Sequence, residues 1–293
     1  MAQRIPFVFS VFFLFILINL SSCEKFSGDQ TIPAYMSIDS IRLTTVYSIQ
    51  GTTSHNITDA WVYVDDILLG AFQLPARLPV LEKGVHTVKI LPGVKKNGIA
   101  ATRINYIFFN SIVKEVRFTE DSTSSLGLLT TTYLNTTDFY WKEDFEDVSI
   151  SLDTSSRSLV GIMETSPGPP TFEGSHSGMV TLDTANNFFE AQTHKEFAIP
   201  SAPVFLELNF NASNAFSVGV IIYSTANLYQ VPIITLSPTN GIWKKTYIDL
   251  TTTLNAYPGV TTFRVYLGTW KDAGNEPTQI LFDNFKLLTY KSQ

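Results

Sequence analysis

A single cysteine in 293 residues rules out a disulfide within the chain, so the fold must be held by packed cores. Histidine is nearly as rare, at four, and His55, His86 and His194 show no metal-ligand spacing. No His-Glu-x-x-His sequence occurs. Charge is scarce too: 16% of residues are charged and the formal net charge is -6. That balance excludes a nucleic-acid partner, whose phosphates demand clustered Lys and Arg. The one basic pair, Lys95-Lys96, falls in a predicted turn and reads as solvated surface. No glycine-rich loop precedes a helix, which excludes a nucleotide-phosphate cradle of that kind. Gly174-Ser175-His176-Ser177-Gly178 has histidine where a nucleophile elbow needs serine. Glu143 and Glu146 are paired in sequence, but nothing sets them across a cleft as glycoside hydrolysis requires. No enzyme is expected. The apolar run from Phe7 to Ile18 falls short of the roughly 18 to 20 residues of a membrane-spanning helix.

What the chain does contain is apolar and aromatic material, 44% and 13% of its residues, together with many Thr and Ser. This composition favours strands over helices, and the length allows two domains. The expected fold class is all-β: a small N-terminal β-sandwich, then a C-terminal jelly roll, after a signal peptide. Arg4, the apolar run and the small residues behind it have the grammar of an export signal over residues 1–22. Leu20-Ser21-Ser22-Cys23 resembles the lipobox of bacterial lipoproteins. The resemblance implies that Cys23 carries a diacylglycerol and begins the mature chain, held by outer-membrane lipid. An ordinary signal peptide or an uncleaved anchor is the alternative. Residues 23–34 lack periodicity and read as a tether. Glu24-Lys25 is a thin version of the charged pattern behind the cysteine of Bacteroidota lipoproteins, which implies an outer-membrane, cell-surface address.

Residues 35–119 follow a period of two. Ala60 to Val64 and Ile67 to Phe72 flank Asp65-Asp66 as a hairpin, and Pro75 and Pro79 confine Leu78 to Leu81 to an edge or short strand. The order Trp61-Val62-Tyr63-Val64-Asp65, Leu69-Gly70-Ala71-Phe72 and Lys83-Gly84-Val85-His86-Thr87-Val88 resembles the PEGA and carboxypeptidase-regulatory-like sandwiches, which implies a spacer or contact module. His86, alone on a strand, reads as packed or solvated. Residues 120–138, rich in Ser and Thr, are expected to link the two domains, although Leu126 to Leu134 could add a strand to either.

Residues 139–293 carry evenly spaced strands, as a double-sheet jelly roll does. Asp144-Phe145-Glu146-Asp147, the Gly174 to Gly178 turn, Trp243 to Leu250 and Ile280 to Leu287 resemble, in order, the galactose-binding-like jelly rolls that include many carbohydrate-binding modules. That resemblance implies a structural Ca²⁺ among Glu146, Asp283 and carbonyls near Ser175 and Gly178. It also implies sugar binding on aromatic faces. Most rings lie in alternating strands, where filling the core is their ordinary role. Tyr257 and Trp270 are the loop-placed exceptions and the candidate ligand residues. The expected function is that of a structural or accessory subunit of an outer-membrane protein complex, with capture of surface glycans by the jelly roll as the alternative.

Overall fold

A computed structural model describes residues 32–224, 227–257, 259–274 and 278–292; the expected export signal, Cys23 and the expected tether up to residue 31 lie outside these. The described chain is nearly all β. Its first part holds β1 (Ala34–Ile38), β2 (Ser40–Leu43), β3 (Asp59–Val64), β4 (Ile67–Gln73), β5 (Ala76–Val80), β6 (Gly84–Lys95), β7 (Arg103–Asn105), β8 (Ile112–Phe118), β9 (Thr123–Ser125) and β10 (Leu128–Thr131). Its second part holds β11 (Thr137–Glu143), β12 (Leu152–Thr154), β13 (Met163–Glu164), β14 (Gly178–Leu182), β15 (Phe188–Thr193), β16 (Phe197–Ala198), β17 (Phe205–Ala212), β18 (Phe216–Ser224), β19 (Leu228–Leu236), β20 (Lys244–Asp249), β21 (Val260–Trp270) and β22 (Thr278–Tyr290).

In the first part, a five-stranded sheet ordered β4-β3-β6-β7, with β8 also on β6, faces the β5-β1-β9 and β10-β2 sheets. The Asp65-Asp66 turn has φ of 47° and 65°, the left-handed pair that a two-residue hairpin needs. Asp tolerates it here because its side chain is used. Asp65 Oδ1 accepts the Thr87 N–H at 2.9 Å, and Oδ2 lies 2.6 Å from His86 Nδ1. His86 is therefore a turn fastener, its pKa raised by the Asp65 hydrogen bond first. As expected from its prolines, β5 is an edge strand, paired only with β1.

The Ser/Thr-rich stretch is not a free linker. Residues 123–125 and 128–131 form β9 and β10, hydrogen-bonded in parallel to β1 and β2. They complete the first sandwich because each supplies backbone partners to strands roughly ninety residues earlier, pairings that no local pattern announces. The chain passes directly from β10 toward β11, the first strand of the jelly roll.

The jelly roll stacks two six-stranded sheets. One is ordered β13-β14-β22-β17-β20 with β11 on β22, the other β12-β15-β21-β18-β19 with β16 on β21. Between them lies a dry core that includes Leu206, Leu208, Phe210, Val218, Val220, Phe263, Val265, Leu267, Phe282 and Phe285. Alternation then aims Phe205, Glu207 and Asn209 of β17 away from this core. They do not meet solvent. Phe205, Tyr247 and Leu288 join the core of the first sandwich, beside Tyr106, Phe108 and Tyr133. Burying one such apolar side chain stabilises by about 1.5–3 kcal/mol.

This shared face also seals in charge. Glu207, fully buried, accepts hydrogen bonds from Tyr106 Oη at 2.9 Å and Tyr133 Oη at 2.9 Å, and its Oε2 lies 3.1 Å from Lys245 Nζ. Lys286 Nζ donates to the Thr52 carbonyl at 2.7 Å. The basic pair read as solvated surface belongs to the same junction. Lys95 closes β6, the turn falls at Asn97 and Gly98, and Lys96 Nζ sits 3.3 Å from Asp249 Oδ2 of β20.

Candidate functional site

The outward face of the β12-β15-β21-β18-β19 sheet is built by alternation. Phe263, Val265 and Leu267 of β21 point into the core, so Arg264, Tyr266, Gly268 and Trp270 occupy the other face. On β15 the core takes Phe189 and Ala191, which leaves Phe188, Glu190 and Gln192 outside. On β18 it takes Val218, Val220 and Ile222, which leaves Ser217, Gly219 and Tyr223. Register aligns these into rows. Phe188 faces Trp270, Glu190 faces Gly268, and Gly268 in turn faces Ser217, which faces Thr235 of β19.

The result is a cleft of about 340 Å³ bordered by Phe188, Glu190, Ser217, Thr235, Gly268 and Trp270. Trp270 is 65% exposed, a large uncovered ring, and is held in place by Phe188 with ring centroids 4.4 Å apart. Its backbone is pinned from below by Asn214, whose Nδ2 donates to the Trp270 carbonyl at 3.0 Å and whose Oδ1 accepts the Asp272 N–H at 2.7 Å. Gly268 leaves the cleft floor open where any side chain would project. Gly219 serves a different need: a Cβ there would lie 2.5 Å from the Tyr266 ring and 2.3 Å from the Val231 carbonyl oxygen. Only glycine lets Tyr266 lie flat across β18.

Beside the tryptophan stands a polar network. Arg157 Nη2 and Gln230 Nε2 donate to Glu190 Oε2 at 2.6 and 2.7 Å, and Arg157 also reaches Gln230 Oε1 at 3.1 Å. Burial opposes charge on Glu190, but the hydrogen bonds from Arg157, Gln230 and Ser155 outweigh it and hold the carboxyl below its ordinary pKa. The Arg157 loop is sewn to β15: the Ser155 N–H donates to the Glu190 carbonyl at 2.9 Å, and the Glu190 N–H to Ser158 Oγ at 3.0 Å. An ionised carboxylate, held by a guanidinium and a side-chain amide, thus borders the cleft of an aromatic platform together with the Ser217 and Thr235 hydroxyls. Such a set can grip a hydroxyl-rich ring by its edge while the platform covers its apolar face.

Of the two ring candidates from sequence, only Trp270 is in this cleft. Tyr257 precedes β21 at the far end, roughly 30 Å away along the strand. Its ring packs on Tyr229, with centroids 4.8 Å apart, and against the core. Tyr247 and Tyr266 are buried, Tyr223 is half-buried and Tyr229 is exposed at the outer strand β19. Glu190, Arg157, Gln230 and Asn214 were not singled out in the sequence; the alternation of Glu190 with Phe189 and Ala191 was the only signal available.

The carboxylates of the expected calcium set are each hydrogen-bonded within the protein. Glu146 Oε1 accepts the N–H groups of Ser175 and His176 at 2.7 and 2.8 Å, where Gly174, at φ 68°, lets the turn close on the carboxylate. Gly178 is paired in the sheet with Phe282 and Glu164. Asp283 Oδ2 accepts from Ser177 Oγ at 2.6 Å, while Oδ1 is buried with no partner. Among the described residues no group of three or more His, Cys, Asp or Glu side chains is placed to hold a metal. Glu143 is likewise committed, to the N–H groups of Phe145 and Ser151 at 2.8 and 2.6 Å.

Comparison with protein-family models and with curated proteins found no match. Among solved structures, the chain is similar to the CBM22-2 xylan-binding domain from Paenibacillus barcinonensis Xyn10C, at 17% identity over 52% of this chain and 99% of that one, with a TM-score of 0.36. The K3 cleaved adhesin domain of Lys-gingipain from Porphyromonas gingivalis is similar at 15% identity, over 52% of this chain and 98% of that one, with a TM-score of 0.37. Likeness at this level carries no ligand from one chain to another.

Proposed function

We propose that the protein is a non-catalytic glycan-binding protein and that the ligand lies on the outward β12-β15-β21-β18-β19 face at Trp270. The observation that supports this reading is the uncovered Trp270 ring beside the Glu190-Arg157-Gln230 network, over the glycine floor of the cleft. A sugar ring stacked on tryptophan with its hydroxyls in that network matches the mostly apolar, sparsely polar design of small-molecule sites. Glycan-array screening followed by calorimetry tests it. Trp270→Ala is expected to weaken the best glycan by about tenfold to a hundredfold, the worth of roughly 1.4–2.8 kcal/mol, with thermal unfolding little changed because the ring is exposed. Unaltered affinity in Trp270→Ala rejects the site.

A second reading, a subunit of an outer-membrane complex held by acylated Cys23, is supported by β4. This is an edge strand, and it exposes Ile67, Leu68 and Leu69 at 68%, 49% and 38%. Unpaired backbone and apolar side chains on one edge suit a protein partner. In this reading Cys23→Ala releases the protein from the membrane fraction, and Leu68→Asp removes a partner recovered by pull-down from solubilised membranes. Retention of Cys23→Ala in the membrane fraction argues against the anchor, and recovery of the protein alone argues against the complex.

A further inference from the structure

A second, larger cleft opens where residues 54–56 and 95–99 of the first sandwich meet the edge strand β20 of the jelly roll. It measures about 580 Å³, and its border includes His55, Lys95, Asn209, Trp243, Lys244 and Thr246. Three independent features of its wall point to a ligand.

The first is charge. Every charged side chain on the border is basic, in a chain whose net charge is -6. Lys245 is committed to Glu207 across the junction. Among the described residues Lys95 and Lys244, both on the border, have no ion-pair partner, so their charge is not neutralised within the protein. His55 reports the same field: burial first, then Arg42 and Lys245, push its pKa down, so it serves as a neutral hydrogen-bonding ring.

The second is an orphaned acceptor. Asn209 is 2% exposed; its Nδ2 donates to Ser54 Oγ at 2.8 Å, but its Oδ1 has no hydrogen-bond partner. Thr246 Oγ1, on the same border, is also buried and unpartnered. Leaving a buried acceptor unmade costs on the order of 1–3 kcal/mol, a cost that a hydroxyl donor on a ligand removes. The third is a ring pair: Phe172 and Trp243, also on the border, pack with centroids 5.1 Å apart, and the indole is oriented by donation to the Pro170 carbonyl at 3.2 Å.

A bare inorganic anion would satisfy the lysines and leave the Asn209 carbonyl unpaired and facing negative charge. A neutral sugar would satisfy the amide and leave the lysines unused. A ligand that answers all three features carries a carboxylate, hydroxyl donors and a face of C–H groups on one ring. We propose that this cleft binds an acidic saccharide, with Lys95 and Lys244 taking the uronate carboxylate and the Asn209 carbonyl taking a hydroxyl. The two clefts adjoin at Thr235, but the residues assigned to each ligand differ, so the lysine variants and Trp270→Ala test the two sites separately.

The test is calorimetry of the full-length protein at low salt with trigalacturonate, with neutral galactotriose and with inorganic phosphate. Trigalacturonate is expected to bind, and Lys244→Glu and Lys95→Glu are each expected to weaken it at least about tenfold. Raising the salt should weaken it too, as for any partly exposed ion pair. Both lysines reach solvent at the cleft, so unchanged thermal unfolding separates lost binding from lost fold. Asn209→Asp, which puts a charge where the free acceptor stands, should weaken trigalacturonate further. The proposal is overturned if trigalacturonate does not bind or if the lysine variants bind it as well as the native protein. It is equally overturned if phosphate displaces it at equal concentration, or if its binding is lost with Trp270→Ala and kept with Lys244→Glu.

Discussion

Replacing Glu207 with alanine is expected to destabilise the protein by about 3–5 kcal/mol, the usual result of removing one partner of a buried pair. Glu207 is fully buried and holds Lys245, Tyr106 and Tyr133 together. Without it, Lys245 keeps a charge with no counterion in a place water does not reach. Burial already pushes the Lys245 pKa down, and Glu207 is the main influence resisting that. Since Tyr106 and Tyr133 belong to the first sandwich and Glu207 and Lys245 to the jelly roll, the loss should also loosen the two from each other. Urea unfolding at neutral pH should give a lower midpoint, with the single transition broadening or splitting. Adding Lys245→Met should restore part of the loss, because it removes the ammonium group left without its partner. A Glu207→Ala midpoint equal to that of the native protein removes this account of the junction.

The stability of the protein should pass through a low point near neutral pH in the contributions of two buried groups. Burial raises the Asp283 pKa to about 7, against the pull of Ser177. Between its ordinary value and 7, the folded state holds a proton that the unfolded state releases. Raising the pH across that window therefore removes stability. Burial lowers the Lys286 pKa to about 7, against the pull of Glu207. From pH 7 up to its ordinary range, the unfolded state holds the extra proton, so raising the pH there adds stability. Shifts of this size correspond to on the order of 4 kcal/mol for each group. Asp283→Asn should accordingly gain on the native protein from pH 4 to pH 8, and Lys286→Met should lose ground to it from pH 7 to pH 10. Parallel curves of unfolding free energy against pH for native and variant proteins contradict the assignment.

Much of this architecture could be read in the residues beforehand. Alternation such as Phe263, Val265 and Leu267 against Arg264, Tyr266 and Trp270 marks a strand with two unlike faces, and repetition of that pattern marks stacked sheets. Trp270 was legible for the same reason, as a large ring at a strand end with no apolar partner at period two. Tyr257 looked equivalent, yet its ring packs beside Tyr229 and against the core, a contact that residues 28 apart in the chain do not announce. Within 120–138 the sequence allowed a strand over Leu126 to Leu134 on either side, and β10 joins β2; β9 is short and polar, and its partner β1 lies far back in the chain.

Period-two patterning and the scarcity of cysteine and charge were enough to establish an all-β protein of packed sheets, since those properties depend on each strand alone. Whether a polar face meets water is not a property of one strand. Glu207, Lys245 and Lys286 are charged side chains, yet they are buried because another sandwich packs over them. Glu190, Arg157 and Gln230 converge across three separate segments, and Asn209 and Lys244 border one cleft from neighbouring strands. Those meetings arise from long-range pairing and docking, which bring together side chains whose separation along the chain carries no trace of it.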